Sequence, residues 1–188
     1  MTLNPVKKTS LTSSPHVAEC LGVKVPASPF LTATRITRIQ EARYEGAEIA
    51  GALHVVGPED RVLELGAGLG IVGAVTQLNA RPAAMISFEA NPNMIPHIEA
   101  LYALNRIKSK ITLHNKVLLS AKDAPEKVEF YLRNSFLGSS LNDTAARETT
   151  PVTIPTSHYE PLRKRFKPEL ANAAPIFEIT PEVSASRT

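Results

Sequence analysis

The chain has little of what would carry it out of a reducing compartment or through a membrane. A single cysteine, Cys20, occurs in 188 residues, so no internal disulfide can form and nothing points to an oxidising compartment. No stretch reaches the roughly 18 apolar residues that a spanning helix needs. The opening Met1-Thr-Leu-Asn-Pro-Val-Lys-Lys8 lacks the apolar segment of a secretory signal. A cytoplasmic location with no membrane contact is the expectation. Charge of one sign is also scarce, with a formal net charge of only +3. The one dense basic cluster, Arg163-Lys-Arg-Phe-Lys167, reads as a solvated helix face, and no nucleic-acid partner is expected. No Cys/His/Asp spacing resembles a metal site, no Ser-His-Asp arrangement can be argued, and no internal repeat is visible.

What is present is an ordinary apolar fraction, 43%, in a chain long enough for one domain with tails. Residues 1–30 are rich in Ser, Thr, Pro and Lys and read as a flexible N-terminal arm, because such composition cannot offset the entropy of ordering. Cys20 therefore falls outside the expected core. Residues 31–183 form the expected domain, and 184–188 a frayed tail.

Within the domain, apolar residues recur at helical spacing from Thr34 to Val55, ending before Gly57-Pro58. Arg61 to Leu65 reads as a strand, Ile71 to Leu78 as a helix, and Ala84 to Phe88 as a second buried strand. Asn91-Pro92 starts a helix that runs to Asn105. Lys110 to Leu118 reads as a third strand, Lys127 to Arg133 as a fourth with one wet face, and 142–158 as surface loop. A short helix over Tyr159–Phe166 and a last strand over Ile176–Ile179 follow. The β-α-β-α-β order implies parallel strands with right-handed crossovers, and a ligand crevice beyond the strands' carboxyl ends.

The chain is organised around Arg61-Val-Leu-Glu-Leu-Gly-Ala-Gly-Leu-Gly70. Bare backbone at a strand-to-helix turn lets a ligand approach main-chain N–H groups. Two registers compete. Gly68-Leu-Gly-Ile-Val-Gly73 matches the dinucleotide pattern G-x-G-x-x-G, which leaves an NAD-dependent oxidoreductase as one reading. Counted from the strand end, Gly66, Gly68 and Gly70 instead give G-x-G-x-G, with Glu64 on the strand just before. A carboxylate there would repel a pyrophosphate but suit an ammonium group, and S-adenosylmethionine carries one and has no phosphate. Glu89, closing the second strand, suits ribose hydroxyls in either case.

Val62-Leu-Glu-Leu-Gly-Ala-Gly-Leu-Gly70 resembles motif I of the class I S-adenosylmethionine-dependent methyltransferases, and Phe88-Glu-Ala-Asn-Pro92 resembles the acidic loop after their second strand. Together with a helix ending at Asn105, a His-Asn strand end and a later Ser-Ser-Leu, these residues are similar to the FkbM-type methyltransferases over roughly 35–141. The resemblance implies a Rossmann-like parallel three-layer α/β/α sheet and methylation of a small-molecule acceptor, an O-methylation if the subfamily holds. It also implies that Glu64, Gly66, Ala67, Gly68 and Gly70 hold the methionine part of S-adenosyl-L-methionine. Glu89 would take the ribose, Ala90 and Asn91 would lie beside the adenine, and Asn115, Lys116 and Val117 would line its other side. The chain departs from the family in lacking the Asp-x-Glu-Gly-x-Glu stretch after a fourth strand. The fold is thus expected to be shortened at its C-terminal side, or completed by a homo-oligomer or partner chain across an open strand edge. A non-catalytic S-adenosylmethionine-binding or assembly subunit is the alternative in a different class. No catalytic residue is assigned. Glu178, His114, His158 and Tyr44 are the candidate bases, and Ser139 and Ser140 candidate substrate contacts.

Overall fold

The computed structural model describes residues 16–121, 123–133, 141, 149–166 and 176–178, the last three as backbone. The described part begins with a hairpin, β1 (Ala18–Cys20) paired antiparallel with β2 (Val23–Val25). Two helices follow, α1 (Ala33–Gln40) and α2 (Gly46–Val55). Then come β3 (Arg61–Leu65), α3 (Ile71–Asn79), β4 (Ala84–Phe88), α4 (Ile95–Leu104) and β5 (Ile111–His114). The chain continues through β6 (Val117–Leu119), β7 (Lys127–Arg133), β8 (Thr149–His158) and α5 (Tyr159–Phe166) to β9 (Ile176–Glu178).

Four strands form a wholly parallel sheet in the order β5-β4-β3-β9. The crossovers β3-α3-β4 and β4-α4-β5 step in one direction, so right-handedness puts α3 and α4 on the same face. β9 pairs on the other side of β3, so the order reverses there and the turn after Leu65 sits at the switch point of the sheet. This is a mixed α/β architecture with parallel sheet segments, compatible with a Rossmann-like fold.

The register explains the core. Val62 lies beside Met85, and Met85 beside Ile111, so all three present side chains to one face. There they meet Ile71, Ala74 and Val75 of α3 and Ile98, Leu101 and Tyr102 of α4 in a single apolar cluster. Each such side chain fully buried contributes about 1.5–3 kcal/mol.

The hairpin corrects the expectation of a loose arm over its described part. Val23 is fully buried, and Ala18, Cys20 and Val25 join the same cluster, so Cys20 lies inside the core rather than outside it. The hairpin is held by Asn105, whose Oδ1 accepts from the Lys24 N–H at 2.8 Å while Nδ2 donates to the Lys24 carbonyl at 2.7 Å. The amide thus acts as a neighbouring strand would. Residues 1–15 and 184–188 lie outside the described residues.

Three further expectations are corrected. The helix expected over 34–55 is two helices, because Ala42 (φ 52°) and Glu45 (φ 48°) are left-handed and the Tyr44 ring between them is buried. The third strand is interrupted at Asn115, giving β5 and β6. The loop expected over 142–158 contains β8, which joins β6 and β7 in a second, three-stranded sheet. Pro151 and Pro155 disguised that strand. Thr156 donates its N–H to Glu126 on the β7 side at 2.9 Å, so odd-numbered residues of β8 point theirs the other way. β6 pairs only with Thr156–His158, and both prolines therefore lie where no ladder bond is lost.

Candidate functional site

The strand β3 runs directly into Gly66, Gly68 and Gly70, with φ of 76°, 57° and 75°. Those left-handed conformations are open to glycine at no steric cost. They bring the N–H groups of Gly66 and Ala67 onto the Phe88 carbonyl of β4, at 2.9 and 3.0 Å. The space where a Gly66 side chain would stand is empty for 4 Å around. At Gly70 the reason is different: a β-carbon would lie 2.9 Å from Ile98 Cγ2, so that glycine lets α4 pack against the turn.

Glu89 closes the second wall. Its carboxylate, 8% exposed, accepts from the Gly68 N–H on Oε2 and the Asn91 N–H on Oε1, each at 2.7 Å. One side chain from β4 thus holds the β3 turn and its own loop in a fixed relation. Burial pushes the Glu89 carboxyl up from its ordinary range, and the N–H groups of Asn91, Gly68 and Ala90 pull the other way. Asn115 completes the edge by donating Nδ2 to the carbonyls of Glu89 and Ala90, at 2.8 and 3.0 Å. Asn91 turns inward and accepts from the Asn93 N–H at 3.0 Å, an Asx turn leading into α4.

Glu64 is placed differently from the expectation. It shares the core-facing side of β3 with Val62, and its register partner is Ser87. Its carboxylate is 4% exposed, accepts from Ser87 Oγ at 2.5 Å, and lies against Gly73 in the first turn of α3. Burial raises its pKa to about 7, against the lowering effect of the Ser87 hydroxyl and the Gly73 backbone. The Tyr102 hydroxyl lies near Ser87 and Glu64 without reaching hydrogen-bond geometry to either.

The sequence reading missed Glu45. Its backbone is left-handed, and its half-buried carboxyl lies near enough to Glu64, Glu48 and Glu89 for their charges to act on it. Burial first, then Glu64, raise its pKa to about 7. The buried Tyr44 hydroxyl lies beside Glu45 outside hydrogen-bond geometry, and burial pushes its pKa up. The only signal in the sequence was the Arg-Tyr-Glu-Gly stretch interrupting the helical pattern.

The C-terminal edge thus gathers Glu64, Gly66, Ala67, Gly68, Gly70, Glu89, Ala90, Asn91 and Asn115. Lys116 and Val117 lead away from it, with Val117 paired to Thr156 in the second sheet. His114 stacks on Phe88, ring centroids 5.1 Å apart, and burial lowers its pKa. Glu178 is in register with Leu65, so its backbone reaches the same edge. His158 ends β8 opposite Leu119. Ser139 and Ser140 lie outside the described residues.

Among the described residues no group of three or more His, Cys, Asp or Glu could hold a metal ion, and no helix is long and apolar enough to cross a membrane. No protein-family model matches the chain, and no curated protein matches it. Among solved structures it is similar to a Pyrococcus horikoshii protein named "putative transferase PH0793", with 17% sequence identity and a TM-score of 0.35. The likeness covers 49% of this chain and 29% of that one, so the chain spans less than a third of that protein's length.

Proposed function

We propose that the glycine turn holds S-adenosyl-L-methionine and that the chain is an S-adenosylmethionine-dependent methyltransferase for a small-molecule acceptor, acting on a hydroxyl. The observation that carries this reading is the Glu89 carboxylate bridging to Gly68 beside the open space at Gly66, at the switch point of a parallel sheet. A carboxylate has about four lone-pair sites, so Glu89 retains capacity for a ribose hydroxyl donor after binding backbone N–H groups. Glu45 and Glu89 lie near Glu64, and burial raises the pKa of all three; a cationic ammonium or sulfonium ligand would favour their ionised forms, whereas a pyrophosphate would not.

The dinucleotide register is the competing reading. Its third glycine, Gly73, lies where a β-carbon would stand 2.5 Å from Glu64 Oε2; close helix–strand packing at that glycine serves either register, so the ligand decides between them.

When bound, the cofactor supplies an electrophilic methyl group. In this chain Glu89 and the Gly66–Gly68 backbone would orient it, and Asn115 would hold the Glu89–Ala90 backbone that flanks it. His114 is a group at this edge that could receive a proton from an acceptor. Calorimetric titration with S-adenosylmethionine, S-adenosylhomocysteine and NAD(H) tests the reading. Binding of both sulfur compounds is expected. Binding of NAD alone overturns it, and cofactor binding without transfer of labelled methyl to a metabolite pool favours a non-catalytic binding subunit.

A further inference from the structure

A concavity lies at the edge of the sheet opposite the glycine turn, where the strands begin. It is a cleft of about 870 Å³ flanked by Arg61 at the start of β3, Ala84 at the start of β4 and Thr112 near the start of β5. Five residues of strand separate it from the glycine turn, on the order of 15 Å. Its charge is one-sided. Arg61, Arg81, Arg106, Lys110 and Arg165 line it, and no Asp or Glu does. None of the five pairs with a carboxylate within 4 Å among the described residues.

The backbone reinforces the point twice. Arg81 and Arg106 occupy the turns that lead from α3 into β4 and from α4 into β5, with φ of 55° and 58°. Glycine or asparagine would sit there with less strain. Both turns carry arginine instead, and both deliver it to the same cleft. The wall also contains Gln77, 8% exposed, whose Oε1 is buried with no hydrogen-bond partner. Its Oε1 is closed off beneath the cleft surface, so what the cleft itself offers a ligand is its unpaired positive charge. A ligand bearing anionic oxygens relieves the repulsion among those cations.

We infer that this cleft binds a small phosphorylated ligand with at least two phosphate groups, at a site separate from the glycine turn. Arginine forks match phosphate oxygens two at a time, which a lone surface lysine patch does not. The volume falls in the range of small-molecule sites, about 300–1,000 Å³. A single-stranded nucleic acid is the less suited occupant, because strand binding needs exposed aromatic platforms. The aromatic ring of the cleft, Phe166, is 8% exposed and already covered by the Arg61 guanidinium at 4.5 Å.

The test titrates the full chain calorimetrically with inorganic pyrophosphate and with a ten-nucleotide oligouridylate at the same salt concentration. Saturable pyrophosphate binding is expected. The double variant R81N/R106N, whose asparagines tolerate the left-handed backbone, should weaken it by about tenfold or more. Q77E, which sets a carboxylate of equal size in the wall, should weaken it comparably, while the charge-matched surface control K24Q/R43Q should leave it within twofold. Thermal midpoints measured alongside establish that each variant is folded. No saturable binding, binding untouched by both cleft variants, or an oligonucleotide binding more than tenfold tighter than pyrophosphate overturns the inference.

Discussion

A β-carbon at position 73 would lie 2.5 Å from Glu64 Oε2 and 3.0 Å from Met85 Cε, so the glycine at Gly73 is a consequence of the glutamate at Glu64. The helix α3 approaches β3 so closely that an added side chain here meets both the buried Glu64 carboxylate and the Met85 methyl, one of which must shift to admit it.

Gly73→Ala should accordingly destabilise the fold. Overpacking of this kind costs about 1–3 kcal/mol, while the gain in helix propensity returns about 1 kcal/mol at most. A net loss of up to about 2 kcal/mol in urea denaturation is expected. The same substitution in a Glu64→Ala background should cost measurably less, because the clashing group is gone. Equal losses in the two backgrounds would show that Glu64 is not what excludes the side chain.

Glu64 also sets a pH dependence. Its folded pKa of about 7 lies above the ordinary value of 4.5, so between those values the native state holds a proton that the unfolded chain has released. Stability therefore falls as pH rises through that window and levels off above about 7. Glu45, raised to about 7 by the same burial, adds to the slope. Glu64→Gln removes the ionisation while keeping an acceptor for Ser87. It should flatten the decline in thermal midpoint between pH 5 and 7, with the variant overtaking the parent at pH 8 by up to about 3 kcal/mol. A parent whose midpoint is level across that range contradicts the raised pKa.

How much of this was legible in the sequence follows from where each signal came from. The βαβαβ segment was readable because glycines, a proline and short apolar runs punctuate it, and the bounds of Ala84–Phe88 and Lys127–Arg133 emerge as expected. Its companions were not readable for identifiable reasons. The β1–β2 hairpin has three-residue strands, too short for periodicity, and owes its place to Asn105, 81 positions from Lys24. β8 carries prolines that count against a strand unless its partners on both sides are known. At the turn, the residue types of Glu64 and Glu89 were evident, but their directions were not. Glu89 binds backbone N–H groups and Glu64 the Ser87 hydroxyl, and only the register of β3 against β4 reveals that Glu64 faces the helices.

The amide of Asn105 offers a separate check on the hairpin. Asn105→Ala removes its bonds to both backbone groups of Lys24 and a third to the Leu101 carbonyl at 2.8 Å. Net worth of about 1 kcal/mol each for such bonds predicts a loss of roughly 1–3 kcal/mol. Hydrogen exchange at the Lys24 amide should speed up well beyond that at Val62 in the sheet interior. Uniform acceleration across both would mean that the hairpin opens only with the whole domain.

On the proposed function, Glu89→Ala tests the second wall of the turn. It removes the acceptor of the Gly68 and Asn91 N–H groups together with the group assigned to ribose. Charge-assisted bonds contribute about 1.5–3 kcal/mol each, so S-adenosylhomocysteine should bind at least tenfold more weakly in calorimetry. An unchanged dissociation constant would remove Glu89 from the site.

Glu45 separates stability from binding most sharply. Its backbone, at φ 48° and ψ 37°, costs about 1 kcal/mol for a residue with a side chain, and its carboxyl is held against Glu64 and Glu89. The next residue is glycine, and the Glu45 side chain makes no capping bond to the helix. Glu45→Gly should relieve the backbone strain and the repulsion together, raising stability by about 0.5–1 kcal/mol at neutral pH. The same variant leaves the cradle with one carboxylate fewer, so S-adenosylmethionine, with its ammonium and sulfonium charges, should bind more weakly at low salt. Paired denaturation and calorimetry distinguish the outcomes. Higher stability with weaker binding identifies Glu45 as a ligand group held at the expense of the fold, whereas a destabilised protein with unchanged affinity makes it a structural residue of the α1–α2 break.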